Sequence, residues 1–458
     1  MTTESVIERD LSQRARQIIG EELVRYAGAT RRSEQLSERA RKSLPNGVTS
    51  SFQAYDPHPV VAVSASGGWI TDADGRRYLD LNMGFGALFA GHVHPIVRAA
   101  VDEQLSKGTL FVTPSDMNAE VAELLVERYG LPMWRFTNSG TEATMDAIRV
   151  ARGITGRHKL VKVEGGYHGH HDEVMISMKP SLDLAGPPDN PNSVPATAGI
   201  TPSILADTLV IPYNDADALD RKLTEFEGQV AAFIVEPAME NIGIVLPDDG
   251  YLARVRAITR KHGVMLIFDE VKTGITAGYN GATGHFGVQP DLVCLAKSIG
   301  GGLPVGAFGG TVECMDQITS GRVLHLGTYN GNPLVLAATR AVLRDVCTRE
   351  ATGSVIAKNE QLVAHANVVI DRSGIPAHTV KLGAKACITY SIDRVRNYRD
   401  YKATNFDLAY ASWIWGINRG ILLPPGLDEQ WLISVMHTDD DVAFAANVFE
   451  EFVDELTR

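Results

Sequence analysis

From Asn118 onward the chain alternates short apolar runs with helical patterns, and that alternation restricts the fold more than any other feature. Glu120–Tyr129 reads as a helix, Arg135–Thr137 as a strand, Thr141–Arg152 as a helix and Leu160–Val163 as a strand. Ala231–Val235 is a further strand, and the helix Tyr251–His262 leads into the strand Met265–Phe268. Asp291–Ala296 closes the series. Strand-length apolar runs separated by amphipathic helices predict an α/β architecture, with a mostly parallel sheet covered by helices on both faces. Ligand sites in such sheets lie outside the carboxyl ends of the strands.

Two of those strand ends carry ionisable groups. Met265–Phe268 runs into Asp269-Glu270, and Asp291–Ala296 runs into Lys297, followed by Gly300-Gly301-Gly302. A lone lysine is ordinarily a surface group. One enclosed at a strand end, beside glycines that let the backbone approach a ligand, has its charge disfavoured by desolvation and can form a Schiff base. Asp269 alone is equally a turn or helix cap.

Two further stretches sit at strand ends. Thr137-Asn138-Ser139-Gly140-Thr141-Glu142-Ala143 opens a helix, where hydroxyls and free N–H groups make an anion pocket suited to phosphate. Read by itself it is better explained as a capping box. Gly165-Gly166-Tyr167-His168-Gly169-His170-His171 offers an aromatic face and histidines. The spacing fits no metal-ligand pattern, so Tyr167 stacking on a flat ring is the preferred reading and no metal is expected. There is no GxxxxGK[ST], and Gly300–Gly306 lacks the placement of a dinucleotide fingerprint. A Schiff-base lysine, a carboxylate able to hold a pyridinium nitrogen protonated, a phosphate pocket and a stacking tyrosine together point to pyridoxal phosphate.

A chain of 458 residues exceeds one ordinary core. Residues 1–42 read as a charged helical arm, with Leu44-Pro45-Asn46-Gly47 as its break. Residues 43–117 carry Val60–Val63, Trp69–Thr71 and Tyr78–Leu81 as a small antiparallel sheet. Residues 118–349 form the large cofactor-binding domain, ending with the helix Leu334–Cys347. Residues 350–458 form a smaller α+β domain, with strands Ala386–Ile392 and Gly420–Leu423 and helices Asp407–Asn418 and Asp440–Leu456. Lys179–Ile200, rich in Pro, Gly, Asn and Ser, is a long connection expected to be a lid or a disordered excursion.

With 43 basic and 55 acidic residues the formal charge is −12, which argues against a nucleic-acid partner. The four cysteines form no CxxC pair and read as buried reduced thiols. No secretory leader is expected at the N-terminus, and no apolar run approaches the roughly 18 residues of a membrane span. The cytoplasm is the expected location.

The motifs FTNSGTEA, EGGYHGHHD, VEPAMENIG, LIFDEVKTG, LAKSIGGGLPVGAFGG and GTYNGNPL occur in one order. From about Ser37 to the C-terminus the chain resembles fold-type I, class III pyridoxal-phosphate aminotransferases, and most of all the glutamate-1-semialdehyde 2,1-aminomutase group. That resemblance implies a seven-stranded, mostly parallel sheet in the large domain, with the N- and C-terminal segments forming the small one. It implies Lys297, Asp269 and Tyr167 as catalytic residues: Lys297 carries the cofactor and moves the proton, and Asp269 pairs with the ring nitrogen. Val271 and Tyr167 would cover the two ring faces, and Ser139, Gly140 and Thr141 would hold the phosphate. His168, Glu164 and Asn241 would lie near the ring. Thr328 would reach the phosphate of a neighbouring subunit, making a homodimer the active unit, and Lys179–Ile200 would be the gate. Pyridoxamine 5′-phosphate would be the alternate form of the cofactor.

The substrate side departs from the pattern. Where the aminomutase has an arginine in S-P-V-R-A-F, this chain reads Ser50-Ser51-Phe52-Gln53-Ala54-Tyr55. Gln53 cannot form a charged bidentate pair with a carboxylate. Phe85 replaces a pocket tryptophan, whereas Glu429 matches a glutamate that holds the substrate amino group. Ser50, Gln53, Phe85 and Glu429 are therefore the expected substrate contacts. The favoured reading is an aminotransferase acting on an amine, a β-amino acid or an unusual α-amino acid. With no arginine between Ile421 and His437, its acceptor would be pyruvate or another small carbonyl rather than a dicarboxylate. An aminomutase is the alternative. A cofactor-binding regulator would need a DNA-binding domain that residues 1–42 are too short to supply.

Overall fold

The computed structural model describes residues 6–424 and 430–458. Its centre is a seven-stranded sheet whose strands in chain order are β1 Met133–Thr137, β2 Lys159–Val163, β3 Thr208–Ile211, β4 Val230–Val235, β5 Met265–Asp269, β6 Leu292–Ala296 and β7 Gly306–Gly310. Across the sheet the order is β1-β7-β6-β5-β4-β2-β3. Only β7 is antiparallel to its neighbours, β1 and β6, so the other six strands point the same way.

Alternation of side chains builds a core on each face. Val161, Val163, Phe233, Val235, Leu266, Phe268, Val293 and Leu295 belong to one buried cluster. Leu160, Ala232, Ile234, Ile267, Leu292 and Cys294 belong to the other, packed on Ala143, Ala147 and Val150 of the helix Gly140–Thr155. Every residue of β4 and of β6 is buried, and strands covered on both faces read as continuous apolar runs.

The expected strands at β1, β2, β4, β5 and β6 form within a few residues of the predicted bounds; β3 and β7 are additional. β7 reads Gly-Ala-Phe-Gly-Gly, a composition depleted in strands. Its glycines answer to packing: a β-carbon on Gly309 would lie 2.4 Å from the Trp134 indole. Leu334–Cys347 appears as the helix Pro333–Arg340 running into a π-helical stretch, Ala341–Val346. Residues 179–200 contain neither helix nor strand, apart from a bridge between Ile176 and Pro195 beside them. The four cysteines are free and buried.

Two small sheets accompany the central one, and the first joins N- and C-terminal segments. Ala62–Ser66, Trp69–Asp72 and Arg77–Asp80 form the antiparallel sheet, and Ile421–Leu422 adds a parallel fourth strand. His378–Leu382, Lys385–Thr389 and Trp431–Leu432 make the other. The expected strand Ala386–Ile392 thus stops at Thr389, and its partner His378–Leu382 follows the 25-residue helix Arg349–Ser373. The N-terminal helix Val6–Ala29 packs on Phe406–Asn418, with Glu22 accepting hydrogen bonds from Asn418 and Arg419.

Lys385 reaches from the second small sheet to the segments that leave β4 and β5. Its ammonium donates to Glu240 Oε2 at 2.7 Å and to the Lys272 carbonyl at 2.5 Å, with Lys385 1% and Glu240 0% exposed. Removing one member of a buried pair leaves a desolvated charge. Lys385→Met is therefore expected to cost about 3–5 kcal/mol, whereas the double variant Glu240→Leu, Lys385→Met recovers most of that. Urea midpoints of the two proteins decide it; equal losses would contradict it.

Candidate active site

Because six strands point the same way, the segments leaving β1, β2, β4, β5 and β6 emerge at one edge of the sheet. They bring Ser139, Tyr167, Glu236, Asp269 and Lys297 around a cavity of about 370 Å³. Gly140, Thr141, His168, Asn241 and Val271 line it as well, together with Lys272 and the Gly302–Val305 turn. Nine of the residues expected at a cofactor thus share one cavity.

Asp269 ends β5 and is 4% exposed. Its Oδ1 accepts the Val271 N–H at 3.0 Å, and its Oδ2 accepts from Nδ1 of His168 at 2.9 Å. Two charge-assisted hydrogen bonds offset part of the cost of burying the carboxylate and fix its plane. His168 is itself fully enclosed, so its ring has one orientation available.

Glu236, at the end of β4, escaped the sequence reading. It accepts the Tyr167 N–H at 3.1 Å through Oε1, and the Glu240 N–H and Asn241 side-chain amide at 3.0 and 2.9 Å through Oε2. Burial is the main cause pushing its carboxyl upward. The signal was present: Glu236 follows an apolar strand as Asp269 does. Lys162 was also missed. It lies on β2 and donates to the carbonyls of Val163, Gly166 and Ile176 at 3.3, 2.9 and 2.7 Å, supporting the turn that carries Tyr167 and His168.

At the start of the helix Gly140–Thr155, both proposed roles of the motif are compatible. Ser139 Oγ accepts the Glu142 N–H at 3.2 Å, which makes it the N-cap, while Glu142 accepts the N–H of Asn138, one residue before the cap, at 2.7 Å and so does not close the reciprocal box. The helix N-terminus still faces the cavity through Gly140 and Thr141. A β-carbon on Gly140 would sit 2.7 Å from a Val271 methyl, so glycine keeps this cradle open. Lys297 lines the cavity from the start of a 3₁₀ turn, in the left-handed region at φ 47°. That conformation costs a β-carbon-bearing residue about 1–2 kcal/mol and is characteristic of functional positions.

Other expected site residues lie elsewhere. Glu164 is buried behind the cavity and held by Arg399 at 2.7 and 2.8 Å. Thr328 is exposed on a loop tied to the cavity rim by the bond from Asn138 to Asn330 at 2.9 Å. Gln53 and Phe85 line a different groove, of about 670 Å³, in which no lining residue among those described is charged. Phe85 meets Phe52 edge-on at 4.9 Å. Ser50 caps the 3₁₀ turn Ser51–Gln53. Glu429 lies outside the described residues. His170 bonds Thr141 at 3.1 Å, and His171 bonds Glu173 at 3.0 Å.

Residues 51–371 match the class-III aminotransferase family, and the chain belongs to that family. Over 435 residues it is 38% identical to a glutamate-1-semialdehyde 2,1-aminomutase 2 of an Exiguobacterium species, covering 93% of this chain and 98% of the relative. A glutamate-1-semialdehyde aminomutase from Pseudomonas aeruginosa superposes with a TM-score of 0.88 at 30% identity, over 97% of this chain and 99% of that one; a variant of it was solved in complex with PMP. An omega-transaminase from Sphaerobacter thermophilus also gives 0.88, at 33% identity over 93% and 97% of the two chains. The fold is the fold-type I pyridoxal-phosphate transferase fold, and pyridoxal 5′-phosphate is the cofactor. The residues present suit that group: a helix N-terminus for the phosphate, an amine, and an oriented carboxylate in one cavity.

Lys162 yields a pH test. Burial lowers it to about 7 from 10.5. Between those values the unfolded chain still holds a proton that the folded chain has released, so this group's contribution makes stability rise with pH. Below about 7 both states are protonated and the contribution is flat. Denaturation of wild type and Lys162→Met from pH 6 to 10 should show the wild type gaining relative to the variant above neutrality; a constant difference contradicts the assignment.

Proposed function

We propose that this protein is an aminotransferase that moves an amino group between an amine or amino acid, including β- or non-standard ones, and a keto acid or other small carbonyl acceptor. One observation carries this reading against the aminomutase: no arginine lines the cavity among the described residues. Gln53, which falls where the aminomutase pattern has its arginine, spends its amide oxygen on its own turn, accepting from Thr49 Oγ1 at 2.8 Å and from the Ser50 N–H at 3.1 Å. Lys272, a cation at the cavity, donates to the Glu240 carbonyl at 2.5 Å. A substrate carboxylate would thus lack the planar charged fork that recognises it most tightly. Aminomutase remains the second reading, favoured by relatives of that name at 37–39% identity.

When bound, pyridoxal phosphate supplies an aldehyde that condenses with amines and a ring that takes up the electron pair released at the substrate Cα. Lys297 would hold the aldehyde carbon as a Schiff base and then move the proton between the substrate carbon and the cofactor. Asp269, oriented by His168 and the Val271 N–H, would keep the ring nitrogen protonated. Tyr167 and Val271 would enclose the ring, and Asn241, braced by Glu236, would lie beside it. Ser139, Gly140 and Thr141 would bind the phosphate, with Thr328 of a second copy completing that site in a homodimer. Ser50, Gln53, Phe85 and Glu429 would shape the substrate side. In this reading residues 118–349 carry the cofactor, 43–117 and 350–458 form the smaller part, 1–42 are an arm, and the enzyme works in the cytoplasm. No helix among the described residues is long and apolar enough to cross a membrane.

Borohydride reduction of the holoenzyme should fix the cofactor to the peptide containing Lys297. Lys297→Ala should abolish that adduct and lower turnover by about 10²–10⁴-fold or more; an adduct at another lysine would contradict the assignment. To separate the two activities, pyridoxamine-form enzyme is incubated with single keto acids or aldehydes while the visible band of the aldehyde form is followed. The proposal expects pyruvate or another small carbonyl to restore the band. Failure of every acceptor, with isomerisation of glutamate semialdehyde, would establish the aminomutase instead.

A further inference from the structure

We propose that Arg399 is a positioning residue that latches the segment 180–186 onto the turn carrying Tyr167 and His168. Its effect on the cofactor rests on the function proposed above; the latch itself rests on geometry alone. Arg399 belongs to the five-residue helix Tyr398–Lys402, far along the chain from both elements it joins. Its Nε and Nη2 donate to the two oxygens of Glu164 at 2.7 and 2.8 Å. The same Nη2 donates to the carbonyls of Ala185 and Gly186 at 2.9 and 3.2 Å. One guanidinium therefore bonds both the residue that follows β2 and the Pro- and Gly-rich connection.

Neighbouring contacts act in the same direction. Tyr398 donates its hydroxyl to the Pro180 carbonyl at 2.8 Å, and its ring lies so close to Gly165 that a β-carbon there would stand 2.8 Å from it. Asn397 caps the short helix by accepting the N–H groups of Arg399 and Asp400 at 2.8 and 3.1 Å. Arg396 pairs with Asp248 on the central unit. Glu164 is 2% exposed, so its oxygens have no solvent to replace the fork.

The segment is buried at Pro180 and Ala185, where Tyr398 and Arg399 bond it, and exposed between them. Residues 181–184 are exposed and contain no regular structure, with Leu184 61% exposed. Bonds between Asn192 and residues 184 and 185 close the connection only on itself. A segment with few buried contacts opens at low free-energy cost, and the latch supplies the missing attachment. On the other side of Glu164, the Gly165 N–H donates to Ser177 and the Tyr167 N–H to Glu236. Freeing Glu164 would loosen the start of the turn that presents Tyr167 to the cavity. Lysine cannot substitute, because a single ammonium cannot span a carboxylate and two carbonyls in one plane.

The test compares wild type, R399K, R399M and Y398F holoenzymes by limited proteolysis with a broad-specificity protease, and by the visible circular dichroism of the bound cofactor. In R399M, cleavage within 180–190 is expected to accelerate about tenfold or more, because several charge-assisted bonds are lost. Its dichroism per cofactor bound should fall, and R399K should restore little of either. Y398F, which loses one hydroxyl and keeps the ring on Gly165, should accelerate cleavage alone. Wild-type cleavage rates in the Arg399 variants, or acceleration spread evenly over the chain, would overturn the proposal. If R399M does not fold, an unchanged rate in R399K and Y398F overturns it. Absence of a visible cofactor band in wild type would refute the functional reading, while proteolysis would still decide the latch.

Discussion

A carboxylate buried at the end of a central strand is the constraint around which the site is arranged. Asp269 has little solvent, and an isolated charge there would be expelled or neutralised. It is retained because the Val271 N–H and His168 both donate to it. Each donor imposes a demand of its own. Val271 N–H requires the chain to turn directly after β5. His168 must come from the segment leaving β2, which sits beyond β4 in the sheet. That segment is then held by Glu236 from β4 and by Lys162 from below. The parallel sheet is what makes these contacts available, since it delivers successive strand ends to one edge.

Much of this was legible in the sequence because it depends on local pattern. Continuous apolar runs exposed β4, β5 and β6, and the residues terminating them, Asp269 and Lys297, fell at the cavity. β7 escaped because three glycines mask its strand character, and their cause is a tertiary one: Gly306 lies against Ser139 and Thr137, Gly309 against Trp134, and Gly310 against Leu292. Glu236 carries the same local signal as Asp269, a carboxylate directly after an apolar strand. Lys162 and Arg399 had no local signal at all. A lysine inside an apolar strand reads as the exposed face of that strand, and the bond of Arg399 to Glu164 spans 235 residues.

The substrate side is a different matter. Gln53 and Phe85 line a groove apart from the Lys297 cavity, uncharged among the described residues, and Ser50 serves as a local cap. Thr328 is exposed. The Lys297 cavity is therefore built from the strand ends of one sheet. The residues expected to choose the substrate belong to the N- and C-terminal parts, and Gln53 stands where the aminomutase pattern has its arginine.

The central claim is that Asp269, oriented by His168 and the Val271 N–H, keeps the ring nitrogen of the cofactor protonated. Nitrogen-15 NMR of holoenzyme loaded with ring-labelled pyridoxal phosphate tests it most directly. The account predicts a pyridinium shift in wild type that moves to the neutral pyridine position in Asp269→Ala. A neutral pyridine shift in the wild-type holoenzyme would contradict it.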